Sequence, residues 1–347
     1  LVGAVGFNLW NLFPETTGGG IPVNDRLFHL PLIDSAVSAI TNGQNITDPW
    51  QGTMSLGFPV FHYYQHLPHV FLALVHVLSF KVFTTIDLLR WTIYLGLSLF
   101  PISIYWSLRR FSFDPLTCAM GALVASLIGN DFQLLTVPRY GGFGYANYSF
   151  SGFGLYAQLW GMVLLPIALA LGYQTIRTGQ GYFWATLFLS VTLMSHLLYG
   201  YMAFVTLGFL AFIPNTGMKS SVQAIFAHWK RLLLVFGLVV CVTLYFIVPF
   251  LLDQEHFGAT AANTNQELRD SFGFQVVLEN LVKGDLFDFG RFPSISILIL
   301  GGIGSCIFYR RDSHYLVPIL VFIAWLLLYF GRTTWGSAID LLPFSQN

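Results

Sequence analysis

Leu232–Leu252 reads LLLVFGLVVCVTLYFIVPFLL and contains no charged side chain. About twenty such residues are what a helix needs to cross the hydrocarbon core of a bilayer. In lipid the backbone must satisfy its own hydrogen bonds, so a run of this kind is predicted to be helix. Further spans are expected at Leu88–Leu108, Phe153–Tyr173, Ser294–Tyr309 and Tyr315–Phe330, with a shorter apolar stretch at Leu116–Gly129. Phe183–Ile213 is too long for one ordinary spanning helix. The polar SHLLYG in its middle predicts two short helices joined near His196.

Only 9% of the 347 residues are charged, against about 25% in a soluble domain. One polytopic membrane bundle over 1–347 is therefore expected, rather than two soluble domains. The formal net charge is zero, and nothing in the composition calls for nucleic acid. Cys118, Cys241 and Cys306 all fall in apolar runs, as packed thiols do. The chain starts at Leu1 with an apolar run too short to span, Leu1–Phe13, and stops at Asn347 in a polar passage. A fragment of a longer chain is expected, with Leu1–Phe13 as the outer end of a first membrane helix.

Arginines and lysines follow the spans: Arg109-Arg110, Arg177, the Lys219–Arg231 stretch with Lys230, and Arg310-Arg311. The positive-inside rule places all of them on the cytoplasmic side. Residues 14–85 and 253–292 are then outer loops. This parity requires that Val60–Phe83, with Pro68 and four histidines, does not cross as one helix. It is expected to be a re-entrant or surface element, or a hairpin. Asp25–Ile40 has helical periodicity, with Asn24 or Asp25 at the N-cap, and is expected to lie on the membrane surface. Lys219–Arg231 is expected to be a basic loop, and the stretch after Phe330 a polar tail. The second half of 253–292 is expected to be helical, turning at Gly284 and Gly290.

Several residues could carry chemistry. Asp25 precedes His29 by one helical turn, so it is either a cap with a partner or a general base or cation ligand. Asp131 and Arg139 share an outer loop, where an acid could serve an acceptor and an arginine a phosphate. His62, His66, His69 and His76 are spaced four, three and seven. On a single helix they would share one face, as a polar seam or as ligands for haem, pigment or metal. His196 is an ionisable group within an apolar run, and such groups are functional candidates. No P-loop, HExxH, CxxC or GxSxG occurs. Two sequons, Asn45-Ile-Thr and Asn147-Tyr-Ser, fall in loops expected outside.

Asp25-Arg26-Leu27-Phe28-His29, Gly57-Phe58-Pro59, Tyr63-Tyr64-Gln65-His66-Leu67-Pro68, Ser195-His196 and the late Gly284–Pro293 stretch together resemble motifs of the GT-C polytopic glycosyltransferases. They are most similar to the membrane proteins labelled 6-pyruvoyl-tetrahydropterin-synthase-related. The resemblance spans most of the chain. It implies an all-α, GT-C-like transmembrane bundle whose long first outer loop carries amphipathic and re-entrant helices. It also implies a multi-pass protein, in the plasma membrane if bacterial, that moves a sugar from a polyprenyl-phosphate donor to an acceptor at the outer face.

The matching roles are Asp25 as base and Asp131 as the second acid, with Arg26, His29, His66, Arg139 and His196 around the substrates. A divalent cation is used by some members and not by others. Membrane lipids, the lipid-linked donor and other membrane subunits are the implied partners. The competing expectation is a non-catalytic subunit of a membrane complex, binding pigment or haem through His62, His66, His69 and His76.

Overall fold

The computed structural model describes residues 1–17, 25–52, 56–127, 156–214, 221–253, 256, 270–288, 292–310 and 312–342. The chain divides into two compact units, Leu1–Ala211 with Phe226–Glu255, and Phe212–Ile225 with His256–Asn347. Both are built almost wholly from helices. Three helices are long and apolar enough to cross a membrane, or four if one bent pair is counted as a single span.

The first unit contains α1 (Val2–Leu12), α2 (Pro14–Thr17), α3 (Arg26–Thr41), α4 (Val60–Tyr63), α5 (Leu67–Leu78), α6 (Thr85–Arg110), α7 (Pro115–Leu127), α8 (Tyr156–Thr178), α9 (Tyr182–Ser195), α10 (Leu197–Leu210) and most of α11 (Ser221–Leu252). A two-residue antiparallel pair, Trp50–Gln51 with Phe58–Pro59, closes the segment after α3. Gly57 is needed there: its φ is +93°, and a Cβ would lie 2.5 Å from the Trp50 ring nitrogen.

α6 shows why this unit suits lipid. Leu89, Ile93, Leu97 and Phe100 are buried against the bundle, while Trp91, Leu95, Leu99 and Ile102 lie exposed on the opposite side. A helix apolar on both faces has nothing to offer water, whereas hydrocarbon matches its outer face. Small residues let the helices close up. A Cβ on Gly96 would touch Leu159 of α8 at 3.2 Å, and one on Gly172 would meet Leu207 of α10 at 2.7 Å. Ser103 Oγ donates to the Val163 carbonyl at 2.6 Å and ties α6 to α8.

The expected break near His196 is present. α9 ends at Ser195, His196 is extended at φ −155°, and α10 starts at Leu197. The basic loop expected at Lys219–Arg231 is corrected: α11 begins at Ser221 and carries Lys230 and Arg231 inside it. From Ser221 to Arg231 there is no glycine or proline to stop a helix. Arg231 then caps another helix. Its Nη1 donates to the Ile176 and Arg177 carbonyls at the end of α8, at 2.8 and 2.7 Å. A cation there satisfies orphan carbonyls and meets the negative end of the helix dipole. Arg231→Met is expected to cost about 1 kcal/mol, read as a modest fall in the thermal midpoint of purified protein. Arg231→Lys should recover only part of it, because one ammonium cannot reproduce the guanidinium fork.

These contacts polarise the unit. Arg110 donates to Gln174 at 3.3 Å, and Arg177 donates to Tyr173 at 2.7 Å. The ends of α6 and α8 and the early part of α11 therefore gather Arg109, Arg110, Arg177 and Arg231 at one end. From Arg90 to Arg109 the rise along α6 is about 28 Å, close to the thickness of a bilayer core. The acids and histidines described below lie at the other end.

The second unit holds α12 (Gly273–Lys283), α13 (Asp285–Asp288), α14 (Ser294–Phe308), α15 (Leu316–Tyr329) and α16 (Gly331–Trp335). The expected turn at Gly284 is its C-cap glycine, at φ +87°, while Gly290 lies outside the described residues. Asp288 caps α14, accepting from the Ile295 and Ser296 amides at 2.8 and 2.9 Å. The tail is not simply polar. α16 and a 3₁₀ turn at Gly336–Leu341 turn 80° away from α15.

Candidate functional site

The end of the first unit opposite the arginines begins with a buried ion pair. Arg26, at the first position of α3, reaches back to Glu15 in α2. Nη1 lies 2.8 Å from Oε1, and Nη2 donates to Oε2 at 2.9 Å, with both side chains almost fully buried. One charge-assisted hydrogen bond and a second close ion-pair contact hold the two groups together. Burial raises the Glu15 carboxyl, and the charges of Arg26 and Arg90 pull it back down. Arg26, a substrate-binding candidate in the sequence, is thus engaged by Glu15. Glu15 is the first charged side chain in the sequence, after a stretch whose only polar side chains are Asn8 and Asn11.

Asp25 is the N-cap residue of α3, but its side chain makes no capping bond. It is exposed, and partial desolvation raises its carboxyl. Its charge acts on Tyr64, whose hydroxyl is pushed above its ordinary range mainly by burial. His29 lies one turn on, as the spacing predicts, and its amide donates to the Asp25 carbonyl at 3.0 Å. Its ring points inward instead of pairing with the Asp25 carboxylate. His29 Nδ1 is 3.0 Å from His69 Nε2, and the two rings stack with centroids 5.2 Å apart. Tyr64 and Tyr156 press against this pair edge-on or tilted. Burial lowers His29 to about 3. At neutral pH the pair is therefore uncharged, one ring donating and the other accepting.

The single-face histidine stripe is corrected. α4 ends at Tyr63, Tyr64 is extended, and α5 starts at Leu67, so the four histidines do not share one helix. Each has its own partner. His62 sits between two carboxylates, with Nδ1 2.7 Å from Asp253 and Nε2 3.0 Å from Asp48. His66, the N-cap residue of α5, contacts the Tyr245 hydroxyl through Nε2 at 2.8 Å. His69 meets His29. His76 Nδ1 lies 2.7 Å from the Phe83 carbonyl in the turn after α5. A proline within the stretch, and an extended residue ahead of it, break the period that the spacing implies.

A cavity of about 130 Å³ opens beside His62 and His66, with Asn45, Thr47, Asp48 and Tyr245 on its polar wall. Ligand sites that enclose a drug-sized molecule measure about 300–1,000 Å³, so this space holds a few waters or one small polar group. His66 Nδ1 is buried there without a hydrogen-bond partner among the described residues, and desolvation lowers its ring to about 4. Asp48, Asp253 and Tyr245 carry the contacts here, and none of them stands out in the sequence. Asp48 lies in a polar loop 14 residues before His62, Tyr245 lies inside an otherwise apolar run, and Asp253 follows that run at its end. No group of three or more histidine, cysteine or acidic side chains among the described residues is placed to hold a metal ion.

His196 is used locally: its Nδ1 accepts from the Tyr199 amide at 3.4 Å and caps α10. It also packs under α8, where a Cβ on Gly161 would lie 2.9 Å from His196 Cβ. Asp131, Arg139 and the Asn147 sequon lie outside the described residues. The Asn45 sequon is in an exposed turn, with Thr47 donating to the Asn45 side chain through both its amide and its hydroxyl.

Fold and composition together define a helical membrane protein. A scan against protein-family models, a search of curated proteins and a search of solved structures each find no match.

Proposed function

We propose that this is a multi-pass membrane glycosyltransferase that takes a sugar from a polyprenyl-phosphate donor at the polar end of the first unit, with Asp25 as general base. One observation carries the reading. Asp25 is an exposed carboxylate at the end opposite the arginines, with its affinity for protons raised by partial burial. A base must accept a proton and remain in reach of substrate, and a raised carboxyl serves that role better than an ordinary one.

In the proposed step Asp25 takes the proton of an acceptor hydroxyl, and the oxygen attacks the anomeric carbon of the donor. The bond from that carbon to the phosphate oxygen breaks, and polyprenyl phosphate leaves with the bonding electron pair. Arg139 would hold that phosphate and Asp131 would orient the acceptor. By the positive-inside rule the Asp25 end faces outward, and 14–85 forms the outer loop above it, with α5 too short at 12 residues to cross.

The test is transfer from a polyprenyl-phosphate sugar in proteoliposomes. Asp25→Asn is expected to lower kcat by about 10²–10⁴-fold, with KM and thermal midpoint unchanged. An unaltered rate in the variant would reject the assignment.

A second reading is a non-catalytic subunit of a membrane complex. It is favoured by the way Arg26, His29, His62, His66 and His69 are taken up by partners within the chain. If pigment or haem is bound, purified protein absorbs visible light and loses that absorbance in His66→Ala.

A further inference from the structure

We infer that α12 lies in the headgroup–acyl boundary of the bilayer, using a second apolar stripe that the protein leaves uncovered. At 100° per residue, Gly273, Val277 and Leu281 form one stripe, and all three are buried. The adjoining stripe is Phe274, Leu278 and Val282, exposed by 46%, 38% and 79%. The two stripes make one continuous apolar arc of about half the circumference, and the protein covers only half of it. Glu279 and Lys283 lie on the far side and pair with each other in solvent. A helix divided among protein, apolar phase and water in this order fits the membrane surface.

Its attachments place it across the end of a hairpin. At its start, the Phe274 amide donates to Thr334 Oγ1 at 2.8 Å, Ser271 Oγ donates to the Tyr329 carbonyl at 2.6 Å, and Thr333 Oγ1 donates to the Asp270 carbonyl at 3.1 Å. These bonds hold it to the end of α15. At its finish, Gly284 packs so tightly on Pro293 that a Cβ would lie 2.4 Å away, and Asp288 then caps α14. Both ends of α12 therefore sit where α14 begins and α15 ends. Arg310 is in the turn at the opposite end of that hairpin.

The neighbours on this end agree. Trp335 donates its indole N–H to the Leu327 carbonyl at 2.7 Å and stays 42% exposed, as tryptophans of an interfacial belt do. The lipid-facing surface continues from α12 into α14, where Ile297, Leu298 and Leu300 are exposed. α14, at 15 residues, rises only about 22 Å, less than a bilayer core of about 30 Å. An apolar helix laid across its end fills part of the difference.

The unaltered protein, reconstituted in phosphatidylcholine nanodiscs doped with a diazirine-acyl phosphatidylcholine, is photolysed and mapped by mass spectrometry. Expected are acyl-chain adducts at Phe274, Leu278 and Val282, several-fold above those at Glu279 and Lys283 and comparable with those at exposed Leu233 and Leu234 of α11. Adducts on α11 with none on the three α12 residues would overturn the inference, and so would strong labelling of those three by hydroxyl radicals from the aqueous phase. The first failure would mean that a second copy or another protein covers the stripe, the second that the stripe faces water. No outcome depends on whether the first unit transfers sugar.

Discussion

Glu15→Ala is expected to be the most destabilising single substitution in the first unit, by about 3–5 kcal/mol. The carboxylate is buried with Arg26 and lies within the field of Arg90. Removing it takes the carboxylate away from the buried Arg26 guanidinium and from the field of Arg90, and an arginine cannot shed its charge in response. Arg26→Ala should cost less, because Arg90 remains to balance Glu15. Glu15→Leu combined with Arg26→Met should recover most of the loss. That pair keeps the net charge of the cluster as it was and replaces a desolvated ion pair with apolar volume. Thermal unfolding of the three proteins in one detergent gives the order. An Arg26→Ala protein less stable than Glu15→Ala would refute the charge argument.

Acidification gives the second large effect. His29 is lowered to about 3 and His66 to about 4, against about 6.5 in an unfolded chain. Between those limits the unfolded chain binds protons that the folded one refuses. Stability therefore rises with pH up to about 6.5 and is lost as pH falls below it. At pH 5 each ring contributes a loss of about 2 kcal/mol.

Glu15 and Asp25 work the other way. Their carboxyls are raised in the fold, so some stability returns as pH falls through their raised folded values. The expected profile is a fall that begins below about pH 6.5, is steepest between about 6 and 4, and flattens as pH falls through the folded values of the two rings. His66→Gln should remove part of the slope above pH 5, and an unchanged slope would show that His66 does not carry it.

Much of the helical organisation was legible in the chain. The spans at α6, α8 and α11 follow from apolar length, because lipid permits little besides helix over such a run. The break at His196 follows from a run too long for one span with a polar step in its middle. The gathering of Arg109, Arg110 and Arg177 at one end follows from their positions just after spans. What the sequence misjudged were features set by medium-range backbone geometry. The histidine spacing implies a common face only if the helix is unbroken, and an extended Tyr64 ends that. Lys219–Arg231 carries enough charge to read as a loop, yet from Ser221 onward it is helix, with Arg231 lodged on the carbonyls of α8.

The candidate site divides along the same line. Composition and run length alone determined that this chain is helical and suited to lipid, since transfer free energy acts on each segment separately. The position of Asp25 one turn before His29 was also local, being set by the 3.6-residue period. Partners in other segments were decided by tertiary packing, whether 11 residues away, as Glu15 is from Arg26, or much further, as His69 is from His29, Asp253 from His62 and Tyr245 from His66. Each pairing depends on which helix ends meet, and one isolated sequence carries no signal for contacts between segments far apart along the chain. The exposure of Asp25 is settled in the same way. Glu15 takes the arginine beside it and His69 takes the imidazole one turn on, so its carboxylate is left facing outward.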